Sequence, residues 1–378
     1  MANPIYCYTL ICTHVPDYPG YKRGMKEKSI LRQNRNKILC FLLTLLLAGF
    51  TINAVLKGSG ISLDDLWDSL RRASLPGILC AIVSMLGFIY FEGEALRVIV
   101  RHMGYPTKRR KGFVYASADV YFSAITPSAS GGQPASAYFM VQDGIPGTVI
   151  MTSLLLNLIM YTLAIVTIGL LNVIVYPNIF LHFHLESQLL IVFGALVLLG
   201  LAVLFYLLLR KQSIVRHAGF GFAAFLRKLH MKKLARHIER KLAASLEKYA
   251  QCADSIFTGK KMLLQAYLLN LLQRLSQIAV TLFAYAAMHG ELSKLPKLLA
   301  TQIYVVLGSN CVPIPGGVGV TDYLMLQGYR QLMDKVDAYQ LEILSRGLSF
   351  YVCILFSMIT VVIAYLNHKR KKNLERKK

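Results

Sequence analysis

Thr126-Pro-Ser-Ala-Ser-Gly-Gly-Gln-Pro134 cuts the apolar stretch Phe113–Met140 in two. A second stretch, Leu298–Gln331, is cut in the same manner by Val312-Pro-Ile-Pro-Gly-Gly-Val-Gly319. Proline lacks the amide that an interior helical turn needs, and paired glycines weaken the turn further. Each stretch is therefore expected to form two half-helices, a hairpin with its tip at the break. Working outward, Ile38–Leu56, Ala73–Phe91, Gly144–Leu185, Ser187–Leu209 and Gly347–Asn367 contain no Asp, Glu, Lys or Arg. A membrane-spanning helix needs about 20 such residues. Met262–Met288 is equally apolar apart from one cation, Arg274. The expected fold is an all-α integral membrane protein, a polytopic helical bundle holding two broken re-entrant hairpins.

The composition agrees. The chain has 378 residues, with 42 Lys+Arg against 19 Asp+Glu and a formal charge of +23. Charged residues nevertheless make up only 16% and hydrophobic ones 55%, with a mean hydropathy of +0.48. A disordered basic protein would be poor in large apolar residues, and a soluble domain would not run so far without charge. The cations are concentrated. Residues 1–37, Arg97–Lys111, Arg210–Lys261 and the tail after Asn367 hold 33 of the 42, beside six acids. By the positive-inside rule these segments face the cytoplasm. The nearly neutral or acidic loops Lys57–Ser74, Tyr176–Glu186 and Asp334–Glu342 are expected outside.

Counting crossings under that constraint makes hairpin 113–140 begin and end in the cytoplasm and hairpin 298–331 begin and end outside. The expected organisation is a basic N-terminus (1–37), a first transmembrane half (38–209) and a basic amphipathic linker (210–261). A second transmembrane half (262–366) and a basic cytoplasmic tail (367–378) complete it. The two halves form an inverted-topology repeat. Gly131-Gly132 precedes Tyr138 by the same spacing as Gly316-Gly317 precedes Tyr323. Interrupted apolar segments at corresponding positions of two opposed halves point to a transporter's midplane site.

Irregular backbone at membrane depth is tolerated only against protein or a watery cavity. A half-helix N-terminus there offers unpaired N–H donors and the helix dipole, an anion site suited to a phosphodiester headgroup. Ser128, Ser130, Gly131, Gly132 and Gln133 would supply it from one side, and Gly316, Gly317 and Gly319 from the other. Charges within spans are costly and usually functional. Arg274 and Arg346 suit phosphate through bidentate contacts, while Asp119 and Asp322 suit a cationic substituent or a coupling proton. Pairing of Asp322 with Arg346 is the structural alternative, and Glu92, Glu94 and Arg97 read as interfacial or paired. The linker repeats apolar residues from Phe222 to Tyr249 at steps of three to five, as a basic helix on anionic lipid does. No aromatic stacking platform accompanies its charge, so no nucleic acid is expected. The seven cysteines lack CxxC spacing, and His182 and His184 form no ligand set. No nucleotide, metalloprotease or serine-hydrolase motif occurs, so neither metal nor cofactor is expected.

The motifs Ile125-Thr-Pro-Ser-Ala-Ser-Gly-Gly-Gln-Pro-Ala-Ser-Ala-Tyr138 and Pro313-Ile-Pro-Gly-Gly-Val-Gly-Val-Thr-Asp322 give the chain a family likeness. It resembles the flippase-like transmembrane domain of bacterial lysylphosphatidylglycerol synthase, the multiple peptide resistance factor family, over roughly residues 35 to 368. Arg346 fits the likeness, and Asp322 stands where the family often has Glu. The resemblance implies translocation of an aminoacylated or otherwise modified lipid in the plasma membrane, with both termini cytoplasmic, and a link to resistance against cationic antimicrobial peptides. In the full-length enzyme a soluble C-terminal domain transfers lysine from lysyl-tRNA to phosphatidylglycerol. This chain ends eleven residues after its last expected span, so that domain is expected to be absent and the chain not to be an enzyme by itself. The alternatives are that lysyltransferase activity, or a role beside a separate synthase. Anionic phospholipids, such a synthase and a second copy of the chain are the expected partners. Residues 1–24 differ in character from the rest, and Met25-Lys-Glu-Lys reads as a translation start. Sequencing of the mature N-terminus is expected to begin there; a sequence starting Met1-Ala-Asn-Pro would overturn that reading.

Overall fold

The computed structural model describes residues 71, 73–126, 129–210, 259–310, 317 and 319–375. The expected span at 38–56 and the basic linker lie outside the described residues. All regular structure among the described residues is helical. The long helices α1 (Leu75–His102), α4 (Gly147–Val175) and α6 (Leu185–Arg210) each contain a window apolar enough to cross a membrane. So does the rod Lys335–Arg370. The chain is an all-α polytopic membrane protein. A short helix α5 (Pro177–Leu181) lies in the expected Tyr176–Glu186 loop, with proline in its first turn, where the missing amide costs nothing.

Two antiparallel helices form the centre. α7 (Lys260–Ala287) packs most extensively against α1. Ser74 N–H donates to Ala287 O (2.7 Å) at one end, and Gly259 touches the His102 ring at the other. The helix α7 is long enough to span, yet falls outside the windows apolar enough to do so unaided. Asn270, Gln273 and Arg274 on it are buried, so neighbouring helices rather than lipid surround these polar groups. Such a helix is tolerated in a membrane only at the middle of a bundle.

The first broken stretch forms α2 (Arg109–Ile125) and α3 (Gly132–Gln142). The second forms α8 (Leu295–Ser309) and α9 (Val320–Tyr329). Lys111 pairs with Asp143 (2.7 Å), and Glu94 with Arg109 (3.3 Å), fastening the open end of the first hairpin near the C-terminus of α1. The open end of the second lies at the opposite end of the central pair, where Ala73, Tyr285 and Arg330 line one cleft. α2 packs on the final helix of the chain, and α8 on α6 and α4.

That final helix is longer than expected. Asp334–Glu342, read as an acidic outer loop, is mostly helix: α10 (Lys335–Arg346) continues through a π-helical turn (Gly347–Val352) into α11 (Cys353–Glu375). Net charge misled the reading, because Ala338, Leu341 and Leu344 recur three residues apart and are all buried.

Close glycine contacts set the helix spacing. A Cβ on Gly93 of α1 would stand 2.6 Å from the Gly112 carbonyl of α2, and one on Gly112 2.5 Å from the Gly93 oxygen. Small residues let membrane helices approach backbone to backbone, where dispersion is the main attraction available. Gly93→Val is expected to lower stability by about 1–3 kcal/mol, as overpacking of a close contact does. The thermal unfolding midpoint of detergent-solubilised protein reads it, and an unchanged midpoint would mean that the two backbones do not meet there.

Candidate functional site

The first break closes on itself through polar side chains. Thr126 Oγ1 accepts the Gly131 amide (2.9 Å) and donates to Phe122 O (2.6 Å). Ala129 takes a positive φ of 51° at the tip. The Gly131 N–H, expected to face a ligand, is thus held by the hairpin's own threonine. Gly132 is glycine for a second reason: a Cβ there would fall 1.9 Å from Asp119 Oδ1. The α3 N-terminus consequently rests on a carboxylate, an electrostatically favourable seat. Gln133 Nε2 donates to Asp119 Oδ2 (3.0 Å), and Ser123 Oγ to Asp119 Oδ1 (3.2 Å). Ser128 lies outside the described residues, and Ser130 is exposed at the tip.

Asp119 in turn meets Glu92, the carboxyl groups lying in hydrogen-bonding contact. Glu92 is buried at 6% exposure and accepts from Gln273 Nε2 (2.9 Å). Arg274 stands beside it, 4% exposed, with its guanidinium 3.7 Å over the Tyr161 ring and Nη1 bonded to Gln277. Tyr161 Oη donates to Asn310 Oδ1 (3.0 Å) at the end of α8, on the threshold of the second break. A polar chain of six side chains therefore runs from Gln133 at one break to Asn310 at the other. Glu92, read from sequence as interfacial, is its middle. The signal that could have found it is its place on α1 one residue before Gly93, which brings α2 to backbone contact.

The second break carries its own cluster. Gly317 and Gly319 adopt positive φ of 61° and 81°, which side chains rarely tolerate. Asp322 Oδ2 accepts the Gly319 amide (2.8 Å), so the α9 N-terminus is capped by a residue of its own first turn. Asp322 Oδ1 pairs with Arg346 Nε (2.6 Å), and both side chains are over nine-tenths buried. Glu342, 1% exposed, contacts Asp322 from α10. The guanidinium of Arg346 also faces the Phe350 ring at 4.9 Å. Gly316 lies outside the described residues.

Arg274 and Arg346, either of which was expected to meet a headgroup phosphate, lie in separate clusters. Thr281 bonds Ser345, the neighbour of Arg346 (2.6 Å). It lies seven residues beyond Arg274 on α7, about 10 Å of helix rise. Each cluster holds two carboxyl groups and one arginine. Tyr323 also reaches across, donating to Glu186 at the start of α6 (3.0 Å). Beyond the C-terminus of α7, Glu291 joins a polar cleft of about 520 Å³ with Lys294, Arg330 and Asp337. Hydrogen bonds from Ser293 and Lys294 hold the Glu291 carboxyl below the usual carboxylate range.

Breaking the second cluster should be expensive. Arg346→Ala leaves Asp322 and Glu342 buried without their cation, and removal of one partner from a buried pair costs about 3–5 kcal/mol. Thermal unfolding in detergent is expected to show that loss for Arg346→Ala and a smaller one for Arg346→Lys; equal midpoints for both and the parent would refute a buried pair.

Comparison with known proteins places this architecture. Residues 37–357 match the family described as the lysylphosphatidylglycerol synthase TM region. A UPF0104 membrane protein of Archaeoglobus fulgidus is 20% identical over 313 residues, covering 81% of this chain and 92% of that protein. The match takes in both hairpins, the central pair α1–α7 and the two carboxyl–arginine clusters, and the chain belongs to the lysylphosphatidylglycerol synthase transmembrane family.

Proposed function

We propose that the protein is a lipid flippase, moving a phospholipid headgroup, lysylated or otherwise modified, between the leaflets of the plasma membrane. The reading is carried by one observation: two broken hairpins open at opposite ends of a central helix pair, each bringing two carboxyl groups and a buried arginine to its break. In this reading the two halves are an inverted repeat, and each break serves one face of the membrane. The headgroup phosphate engages Arg274 or Arg346 and exchanges with the carboxylates that hold the breaks closed. At the second break Asp322 already occupies the anion-binding end of α9, so a phosphate taking its place keeps the helix capped. A cationic substituent on the headgroup finds Asp119 or Asp322. Ser130, Gln133, Gly317 and Gly319 line the same breaks. The likeness to a lysylphosphatidylglycerol family favours an aminoacylated lipid and a part in resistance to cationic antimicrobial peptides.

Fluorescent phosphatidylglycerol in liposomes containing the purified protein tests this directly. Exchange between leaflets is expected above the protein-free rate. Asp322→Asn and Arg346→Lys should slow it by about ten- to a hundredfold, since hydrogen bonds to charged groups are worth about 1.5–3 kcal/mol. An unchanged rate in both variants would mean that the site is misplaced. The family description also names a synthase, and lysyl transfer is the second reading. Purified protein given lysyl-tRNA and phosphatidylglycerol is expected to form no lysyl lipid; its appearance would favour the enzyme.

A further inference from the structure

Arg274 is a buried cation whose electrostatic needs are incompletely met. It is 4% exposed, its Nε has no hydrogen-bond partner, and its recorded contacts are Gln277 and the rings of Tyr161 and Phe88. Beside it, Glu92 and Asp119 meet carboxyl to carboxyl. Two carboxylates in contact at low dielectric repel, whereas one proton held between them turns repulsion into a hydrogen bond. Facing the pair are Ser123 of α2, Gln133 of α3, Tyr161 of α4, Gln273 and Arg274 of α7, and the Cys353 thiol at the start of α11. Among these described groups only Arg274 is a strong cation.

We infer that the Glu92–Asp119 pair is a proton-binding site that governs whether Arg274 can receive an anion, so that proton uptake and phosphate binding favour one another. The inference rests on the lipid-translocating reading and gives it a coupling ion. With one proton on the pair, its single negative charge balances Arg274 and the cluster is neutral. With none, two negative charges hold the guanidinium and repel phosphate. With two, Arg274 is an uncompensated charge at membrane depth, a costly state that a bound anion relieves. The second proton comes from water reaching the first break, where Asp119 and Gln133 are only half-buried, and returns to water when the anion leaves. Linkage is reciprocal, so bound phosphate strengthens proton binding by the same factor.

The test uses the full chain in phosphatidylcholine nanodiscs and glycerophosphoglycerol as probe, a phosphodiester whose own charge is constant across the neutral range. Calorimetry is expected to show affinity rising as pH falls, by at most about tenfold per pH unit for one linked proton. The double variant Glu92→Gln/Asp119→Asn, which imitates the doubly protonated pair, should retain the low-pH affinity at every pH. Glu92→Gln alone imitates the singly protonated pair and keeps one titrating carboxyl group, so its affinity should still rise as pH falls, provided that both variants elute as folded protein. Infrared difference spectra of the reconstituted protein should carry the C=O band of a protonated carboxyl group, lost in the double variant. A pH-independent affinity in the parent protein, a pH slope that persists in the folded double variant, or absence of that band each overturns the coupling and leaves translocation standing. No probe binding at any pH overturns the headgroup site and the coupling together.

Discussion

A backbone amide in hydrocarbon has no water to fall back on, so every turn placed at membrane depth must find its partners within the protein. Both breaks in this chain meet that demand with side chains a few residues away. At the first, Thr126 takes the Gly131 amide and Asp119 supports the start of α3. At the second, Asp322 takes the Gly319 amide. The carboxylates used for the purpose need partners of their own, which brings the Gln133 amide and the Arg274 cation to one break and Arg346 to the other. The polar interior of the bundle thus grows from two interruptions of helical geometry.

This dependence explains why the centre of the molecule is a pair of unequal helices. The first, α1, is apolar enough to enter a membrane unaided, whereas α7 carries the amides and the guanidinium that the breaks require. Antiparallel packing lets one helix shield the other, and the hairpins close over the remaining polar face. Glycines at 77, 93 and 112 bring the backbones near enough for that shielding to work. Exposed large apolar side chains line several of the long helices, among them Leu170 of α4, Leu189, Phe193 and Leu196 of α6, and Leu355 and Ile359 of α11.

Much of this was legible in the sequence. Proline and paired glycine announce both breaks, because those residues alter the backbone wherever they occur. The pairing of Asp322 with Arg346 was among the readings, since both charges interrupt otherwise apolar segments. Glu92 was not legible, because its position two residues from a cytoplasmic-looking Glu94–Arg97 group reads as an interface until the crossing at Gly93 is known. Nor was the internal satisfaction of the Gly131 amide, which depends on a threonine rotamer rather than on residue order. The acidic stretch before Glu342 was misread because charge counts ignore the face on which apolar residues fall. Local chemistry is written in the chain; which local groups meet is decided by packing.

The glycine crossing at 93 and 112 also limits how the first hairpin can move. Near it, Glu94 of α1 holds Arg109 of α2, and Lys111 ties α2 to Asp143 at the end of α3, so the open end of the hairpin is fastened both to α1 and to itself. A body held at one end swings but does not slide. From Gly112 to Ile125 the arm is about 20 Å long, so a tilt of roughly 10° displaces its tip by about 3–4 Å. Asp119, midway along the same arm, is carried by the tilt relative to Glu92 on α1, while the pivot is hardly disturbed. The hairpin is therefore a lever whose fulcrum is two missing side chains, and its mechanical advantage lies wholly at the break.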